Sequence, residues 1–311
     1  PKIKASFGDW GSTIIGYDFN QASQSSSRGS TFSTTNLQQN VGITNQSFYA
    51  IARIPIRSIE GLEASGGFRH QAQNASTNDL SSGSTTVPGL FGLLHGLHPN
   101  YYDLFKATPN RYPSIFTETL DAQGYTSQVL TSSKLDRFAL RSLFFSKVKP
   151  SGYFDAEEDK DLAERLVKSL KTRPANQPYF DFIFLTSSHS PYLYPPEATK
   201  FKPIPVIQGG FALNPEADAT QYKNHYHNSL AYEDSLVARI LTALASRPEL
   251  ANTWIVVTGD HAEEFNENGL GYWGHGGNYS WWQVQTPLLV KAPRQTQGAV
   301  EPRLSTHQDV V

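Results

Sequence analysis

The chain has 311 residues, 26 lysines and arginines against 28 aspartates and glutamates, and a formal net charge of −2. This length suffices for one large domain or two smaller ones with a sizeable core, and the balanced charge argues against a nucleic-acid partner. The chain contains no cysteine, which excludes disulfides, thiolate nucleophiles and cysteine-bound zinc. Any metal must therefore bind to histidine, carboxylate, amide or hydroxyl groups.

The first 40 residues are rich in Ser, Thr, Gln and Asn without clear periodicity, which predicts an irregular polar lead-in over 1–40. Short apolar runs then alternate with amphipathic stretches. The predicted strands are 41–44, 128–131, 179–185, 254–258 and 287–291, and the predicted helices are 87–94, 114–123, 156–171 and 222–247. This order predicts an α/β fold with a mainly parallel central sheet and helices on both faces. In the last helix, a stripe that includes Tyr222, Leu230 and Leu244 is predicted to face the core.

Polar side chains follow three of the predicted strands, where ligands of such sheets bind. Asp260 and His261 follow the strand over 254–258, and a carboxylate beside an imidazole suits Zn²⁺ or Mn²⁺. His189 follows the strand over 179–185, and Gln46 follows the strand over 41–44. Any one of these residues alone is more often a turn cap or a surface group, but their common position at strand ends favours a metal site.

Two further segments offer site residues. His275 lies between Gly274 and Gly276, which allow a ligand to approach the backbone closely. Thr85 and Thr86 stand at the start of the helix over 87–94, where unpaired backbone N–H groups stabilise an alkoxide or a phosphate oxygen. Simple capping of the helix by Ser84 or Thr85 is the alternative.

The Asp260-His261 and Gly274-His275-Gly276 motifs resemble the metal-binding segment of the alkaline phosphatase superfamily. The resemblance is to the sulfatase-like domains of bacterial envelope proteins, which include phosphoethanolamine transferases, lipoteichoic acid synthases and inner-membrane sulfatase-like proteins. Ala262 stands where that family usually has Gly. The resemblance implies that residues 41–311 form a sulfatase-like metallo-domain, truncated at its C-terminal end.

The resemblance also implies roles for individual residues. Thr86 occupies the position of the nucleophile, and the implied ligands of one divalent ion are Gln46, Thr86, Asp260 and His261. His189 and His275 resemble an additional pair that holds the substrate phosphate or a second ion. His307 lines the site or has a structural role, two readings that the sequence leaves open. Because threonine cannot be matured to formylglycine, and Leu90 stands where sulfatases carry arginine, phosphoesters fit better than sulfate esters.

The implied activity is that of a metal-dependent phosphoester transferase or hydrolase acting on phospholipid-headgroup-like or other phosphodiester substrates. The implied location is extracytoplasmic, either at the periplasmic face of the inner membrane, with membrane association through a preceding N-terminal segment, or secreted. One alternative is a catalytically silent domain that binds lipid or a protein partner and regulates envelope synthesis. Another is a secreted phosphatase or phosphodiesterase without a membrane partner.

Gln46 generates the first testable prediction, because a neutral amide is a poor ligand for a hard or borderline dication. Gln46→Glu adds an anionic ligand, so we expect it to tighten Mn²⁺ and Zn²⁺ binding on the order of tenfold, measured by isothermal titration calorimetry. Gln38→Glu adds the same charge elsewhere and should leave the affinity unchanged. Equal affinities in Gln46→Glu and the unsubstituted chain would remove residue 46 from the site.

Overall fold

Before residue 73, the computed structural model describes the backbone of four strands. It describes residues 79–109, 111–206, 218–295 and 304–310 with their side chains, except for the side chain of Phe138. By its internal contacts the chain divides into two compact units, Pro1–Ser76 and Thr77–Val311.

The first unit contains one antiparallel sheet. Its strands are β1 (Lys2–Ser6), β2 (Ser12–Ser30), β3 (Ser33–Pro55) and β4 (Glu63–Ala72), in that spatial order. The predicted irregular lead-in over 1–40 differs from this structure, and its boundary falls inside β3. Apart from Ile15, Tyr17 and Phe19 in β2, the Ser-rich and Gln-rich segments before residue 40 lack the apolar alternation that predicts strands, whereas antiparallel pairing is made by the backbone.

The second unit is built from short strands and seven helices within its described residues. The strands are β5 (Asp79–Leu80), β6 (Thr126–Thr131), β7 (Tyr153–Asp155), β8 (Tyr179–Phe184), β9 (Ile255–Thr258), β10 (Glu264–Phe265), β11 (Trp273–Gly274), β12 (Leu288–Lys291) and β13 (Ser305–Thr306). The helices are α1 (Thr86–His95), α2 (Tyr102–Ala107), α3 (Ile115–Ala122), α4 (Leu140–Phe144), α5 (Asp159–Thr172), α6 (Ala219–Ala245) and α7 (Trp281–Val284).

The strands of the second unit form parallel and antiparallel pairs. The order β7-β6-β8 makes a parallel sheet, and β5 pairs with β13 in parallel. The pairs β9–β12 and β10–β11 are antiparallel. The predicted α/β class with parallel strands is therefore confirmed, while the strands predicted over 254–258 and 287–291 pair with each other in antiparallel fashion.

Helices cover both faces of the β7-β6-β8 sheet. Because side chains alternate along a strand, Val129 packs on one side with Phe91 and Phe144, whereas Leu130 packs on the other with Leu162. The first side carries α1 and α4, and the second carries α5 and the end of α6. Each fully buried Leu or Phe contributes about 1.5–3 kcal/mol through removal of its surface from water, so this sheet is a rigid support for the loop that follows β8.

The helix boundaries follow local signals in the sequence. Helix α1 ends at Gly96, which adopts a left-handed conformation with φ of 62° and donates its N–H to the Gly92 carbonyl. Helix α6 begins after Asp218, whose carboxylate accepts a hydrogen bond from the Thr220 amide. It ends shortly before Pro248, which cannot continue a helix.

Helix α6 buries Tyr222 and Leu244 of the predicted stripe, but its inward face also includes polar residues that the stripe did not contain. Leu230 is 38% exposed, whereas Asn228 and His225 are buried. The Asn228 amide oxygen accepts hydrogen bonds from the backbone of Lys200 and Phe201, so polar groups of a neighbouring loop determine which side faces inward. Within the described residues neither α6 nor any other helix has both the length and the hydrophobicity needed to cross a bilayer.

Candidate metal centre

Three histidines from three different loops lie together; we call them the histidine cluster: His189, His261 and His275. His261 follows β9, His189 follows β8, and His275 follows β11. The ring centroids of His261 and His275 are 4.2 Å apart, and those of His189 and His275 are 5.1 Å apart. The structure thus brings together residues that are widely separated in sequence, as the strand-end argument predicted.

All three imidazoles are held in the same way. The Nδ1 atom of His189 lies 2.8 Å from the Ser190 carbonyl oxygen, and that of His261 lies 3.0 Å from the Ala262 carbonyl oxygen. The Nδ1 atom of His275 lies 2.7 Å from a carboxylate oxygen of Glu263. These oxygens are acceptors, so each Nδ1 carries the proton and each neutral ring keeps its lone pair on Nε2. Nε2 is therefore the atom that each ring offers to a metal ion or, once protonated, to a phosphoryl oxygen.

Asp260 offers one carboxylate oxygen beside His261. Its Oδ1 atom accepts a hydrogen bond from the His261 amide at 3.1 Å, and its Oδ2 atom lies 3.6 Å from His261 Nε2. Two ligands of a tetrahedral ion with bonds of about 2.1 Å are separated by about 3.4 Å. The donor set and this spacing fit a shared divalent ion.

The backbone of Asp260 is in close contact with the start of α1. The Ser81 hydroxyl donates to the Asp260 carbonyl at 2.5 Å, and a Cβ atom at Gly89 would lie 2.0 Å from the same carbonyl oxygen. Only glycine permits this approach. On the other side of the helix start, a Cβ atom at Gly276 would lie 2.9 Å from the Thr85 methyl group.

These two contacts place the helix start beside the histidine cluster. Helix α1 begins at Thr86, and Thr85, its N-cap residue, makes no capping hydrogen bond with its side chain. The capping alternative is therefore not observed at Thr85. The role of Thr86 as nucleophile and ligand stays a prediction.

Buried carboxylates hold the loop that carries His189. Asp159 at the start of α5 is 3% exposed and accepts hydrogen bonds from the amides of Thr186 and Ser187, at 3.0 and 2.7 Å. Glu233 on α6 accepts a hydrogen bond from the Ser188 amide at 2.7 Å. Three successive backbone groups before His189 are thus fixed, which limits the positions its ring can adopt.

Glu233 has a perturbed ionisation. Burial raises its pKa to about 7, and the negative charges of Asp159 and Asp260 act in the same direction, while the Ser188 amide opposes them. The native protein therefore retains a proton on Glu233 at pH values where the unfolded chain has lost it.

Glu263 connects His275 to Tyr192. Its second oxygen accepts a hydrogen bond from the Tyr192 hydroxyl at 2.5 Å, and its side chain is only 5% exposed. Burial opposes the charged form of His275, but the hydrogen bond and charge of Glu263, together with the charge of Asp260, outweigh it and raise the His275 pKa. The sequence analysis missed Glu263, although its place two residues after His261 was a usable signal.

A second buried pair lies behind α1. His307 and Asp79 are both fully buried, with 3.7 Å between His307 Nε2 and Asp79 Oδ2. His307 Nδ1 lies 3.1 Å from the Gly89 carbonyl oxygen. Burial lowers the pKa of His307 and raises that of Asp79. His307 is thus held in the core behind α1, and Asp79 was missed because a two-residue strand gives no periodic signal.

There are two sets of candidate metal ligands, one predicted from the sequence and one found among the described side chains. The sequence predicted Asp260 and His261, with Thr86 and Gln46. The ligand atoms of His261, Glu263 and His275 also lie within 4.8 Å of one another. The side chain of Gln46 lies outside the described residues; its backbone is part of β3, opposite Phe19 and Ala72.

A sequence profile of the Sulfatase family matches residues 69–311. The chain belongs to the sulfatase family. An uncharacterized protein of Haemophilus influenzae is 28% identical over 218 residues, or 69% of this chain and 30% of that protein. This sulfatase-family chain thus spans less than a third of the length of that curated relative.

Solved structures of similar fold include a lipoteichoic acid synthase and a phosphonate monoester hydrolase. The lipoteichoic acid synthase LtaP from Listeria monocytogenes has a TM-score of 0.53 at 14% identity, covering 76% of this chain and 60% of LtaP. The phosphonate monoester hydrolase of Agrobacterium radiobacter has a TM-score of 0.55 at 16% identity, covering 75% of this chain and 64% of the hydrolase. The profile match shows the family, and these structures show that the fold is shared.

The next prediction concerns Gly89→Ala, for which the direction of the change in unfolding free energy decides between two explanations. Helix propensity alone would make Gly89→Ala stabilising by up to about 1 kcal/mol. The contact with the Asp260 carbonyl instead predicts a loss of about 1–3 kcal/mol, because the added methyl group forces α1 away from β9. Denaturant unfolding of both proteins measures the difference. A gain in stability would contradict the close approach.

Glu233 generates a pH prediction for the metal-free protein. An acid whose native pKa is raised destabilises the fold as pH rises from its unfolded value of 4.5 through about 7. Relative to Glu233→Gln, the unsubstituted chain should lose on the order of 1–3 kcal/mol of unfolding free energy between about pH 5 and about pH 8. Denaturant titrations in a chelator at both pH values test this. If the difference in unfolding free energy between the two proteins is the same at both pH values, the raised pKa of Glu233 is contradicted.

Proposed function

We propose that the chain is a divalent-metal-dependent phosphoester transferase or hydrolase in which Thr86 is the nucleophile. The observation that carries the proposal is the gathering of Asp260 and three Nε2-bearing histidines beside the start of α1. Threonine at the predicted nucleophile position favours phosphate over sulfate esters, because it cannot become formylglycine.

Asp260 Oδ2 and His261 Nε2 are the atoms that would hold the ion, with Thr86 as a further ligand. Zn²⁺ or Mn²⁺ suits one carboxylate and one imidazole. When bound, such an ion lowers the pKa of a coordinated hydroxyl and neutralises charge on phosphoryl oxygens. The Ser81 hydroxyl and Gly89 hold the Asp260 backbone, so the carboxylate is oriented in advance.

The chemical step is a transfer of the phosphoryl group to Thr86. The bond between Thr86 Oγ1 and phosphorus forms while the bond from phosphorus to the leaving alcohol oxygen breaks. The threonine proton passes to solvent, and the departing alkoxide takes up one proton. Water or an acceptor alcohol then attacks the phosphothreonine, gives up its proton and restores the Thr86 hydroxyl, so both half-reactions balance.

His189 and His275 brace the phosphoryl oxygens during both half-reactions. A protonated imidazole donates from Nε2 to an anionic oxygen, and the raised pKa of His275 favours that form. Donors fixed before substrate arrives stabilise developing charge most effectively, and the loop amides held by Asp159 and Glu233 fix His189.

The proposed substrate is a phosphodiester or phosphomonoester such as a lipid headgroup, met outside the cytoplasm. A catalytically silent member of the family is the second candidate, and one specific observation favours it. Gln46 at the predicted first-strand ligand position leaves Asp260 as the only carboxylate of the predicted set.

Thr86→Ala tests the nucleophile, with Thr85→Ala as the matched control at the adjacent position. We expect Thr86→Ala to reduce Mn²⁺-dependent hydrolysis of bis-p-nitrophenyl phosphate by at least about 10³-fold. We expect Thr85→Ala to reduce it less than about tenfold. Mass spectrometry of the unsubstituted chain after a quench should find phosphate on the peptide that contains Thr86.

Three outcomes of this experiment count against parts of the proposal. Full turnover in Thr86→Ala would reject the nucleophile. Turnover of p-nitrophenyl sulfate in preference to the phosphate diester would reject the substrate class. No turnover of either compound at saturating metal would favour the silent alternative.

A further inference from the structure

The three members of the histidine cluster obtain the same protonation of Nδ1 from different acceptors. His189 and His261 each use the carbonyl oxygen of the next residue in the chain. His275 uses the side chain of Glu263 instead. Gly274 and Gly276, on either side of His275, have φ values of 81° and 74°, so the backbone there follows a left-handed path that an ordinary residue would resist. The Glu263 carboxylate thus accepts the hydrogen bond from Nδ1–H that a backbone carbonyl accepts in the other two loops.

Tyr192 fixes Glu263 in place. It is fully buried, its hydroxyl donates to Glu263, and its own φ is 60°, an uncommon value for a non-glycine residue. Its ring packs against Phe265, and its amide donates to the His189 carbonyl at 2.7 Å. An uncommon backbone conformation of this kind persists where several neighbouring contacts hold it in place. Here the surroundings tie the His189 loop to the carboxylate that holds His275.

We propose that Glu263, oriented by the Tyr192 hydroxyl, is a positioning residue that keeps the proton of the neutral His275 ring on Nδ1. Nε2 is then the atom left for the site, and once protonated it donates to the phosphoryl group. The inference rests on the proposed function, since it takes His275 to contact the phosphoryl group. It assigns to Glu263 a supporting role rather than that of a ligand, although its oxygens lie within 4.8 Å of the histidine nitrogens. A carboxylate that holds the ring N–H of a functional histidine is the arrangement by which proteins fix tautomer and ring direction.

The two roles of Glu263 predict opposite results for two substitutions. Gln retains an acceptor oxygen for His275 but is a poor metal ligand, whereas Ala removes the acceptor altogether. A positioning role therefore predicts that Glu263→Gln keeps both the tautomer and the metal affinity, and that Glu263→Ala loses the tautomer. A ligand role predicts that Glu263→Gln loses metal affinity.

The tautomer is measured by the ring ¹⁵N shifts of the metal-free full chain, with the His275 signals assigned by their loss in His275→Asn. In Glu263→Ala we expect the His275 Nδ1 and Nε2 shifts to move towards a mixture of both neutral forms. The His189 and His261 signals should not move, because backbone carbonyls hold those rings. Tyr192→Phe, which removes one hydroxyl, should give a smaller shift of the same sign and serves if Glu263→Ala does not fold.

Metal affinity is measured by titrating Mn²⁺ and Zn²⁺ into the same proteins. We expect the dissociation constant of Glu263→Gln to stay within about threefold of the unsubstituted chain, and that of Asp260→Ala to rise by more than about 100-fold. In turnover, Glu263→Ala should lower kcat on the order of 10–100-fold. A Glu263→Gln protein that binds metal as weakly as Asp260→Ala, or unchanged His275 shifts in both Glu263→Ala and Tyr192→Phe, would overturn the positioning role. The tautomer and metal-affinity measurements do not require turnover. A failure of Thr86 as nucleophile can therefore be distinguished from a failure of the positioning role of Glu263.

Discussion

The close approach of α1 to the end of β9 is the contact on which the rest of the candidate centre depends. Gly89 allows the helix backbone to touch the Asp260 carbonyl, and the Ser81 hydroxyl donates to the same oxygen. The His307 ring behind the helix lies against the Gly89 carbonyl, so the helix is held from both sides. Because this contact fixes the distance between helix and strand, it determines whether a hydroxyl at the helix start and a carboxylate at the strand end can act on one group.

The charge distribution around the centre is consistent with a bound cation. Asp159 and Asp260 lie close enough to Glu233 for their negative charges to add to the rise of its pKa that burial causes. Unpaired buried carboxylates are costly, and they are retained where they are hydrogen-bonded or meet a metal. Asp159 is satisfied by backbone amides. Asp260 retains the oxygen that faces His261, which is where a cation would relieve the repulsion.

Much of the described part of the second unit could be predicted from the sequence, because its signals are local. The strand over 179–185 follows from its apolar run, and the end of α1 follows from Gly96, which accepts a left-handed conformation. Convergence of Asp260 with the histidine cluster was expected because polar residues after strands form the ligand sites of such folds, although the described β8 and β9 belong to separate sheets. The hydrogen bond from His275 Nδ1 to Glu263 could not be predicted in this way. It depends on the path of the His275 loop, in which the side chain of Glu263 rather than the next backbone carbonyl accepts the ring proton. The strands before residue 40 were not predicted for a different reason, because apart from Ile15, Tyr17 and Phe19 their Ser-rich and Gln-rich stretches show no apolar alternation.

The central claim is that Asp260 and His261 share one divalent ion beside the start of α1, and anomalous diffraction tests it most directly. Crystals of the full chain grown with Mn²⁺ or Zn²⁺ should show an anomalous peak within about 2.5 Å of both Asp260 Oδ2 and His261 Nε2. Glu263 should remain hydrogen-bonded to His275 and Tyr192 in the same crystal. A peak coordinated by Glu263 and His275 without Asp260, or no peak at saturating metal, would contradict the account.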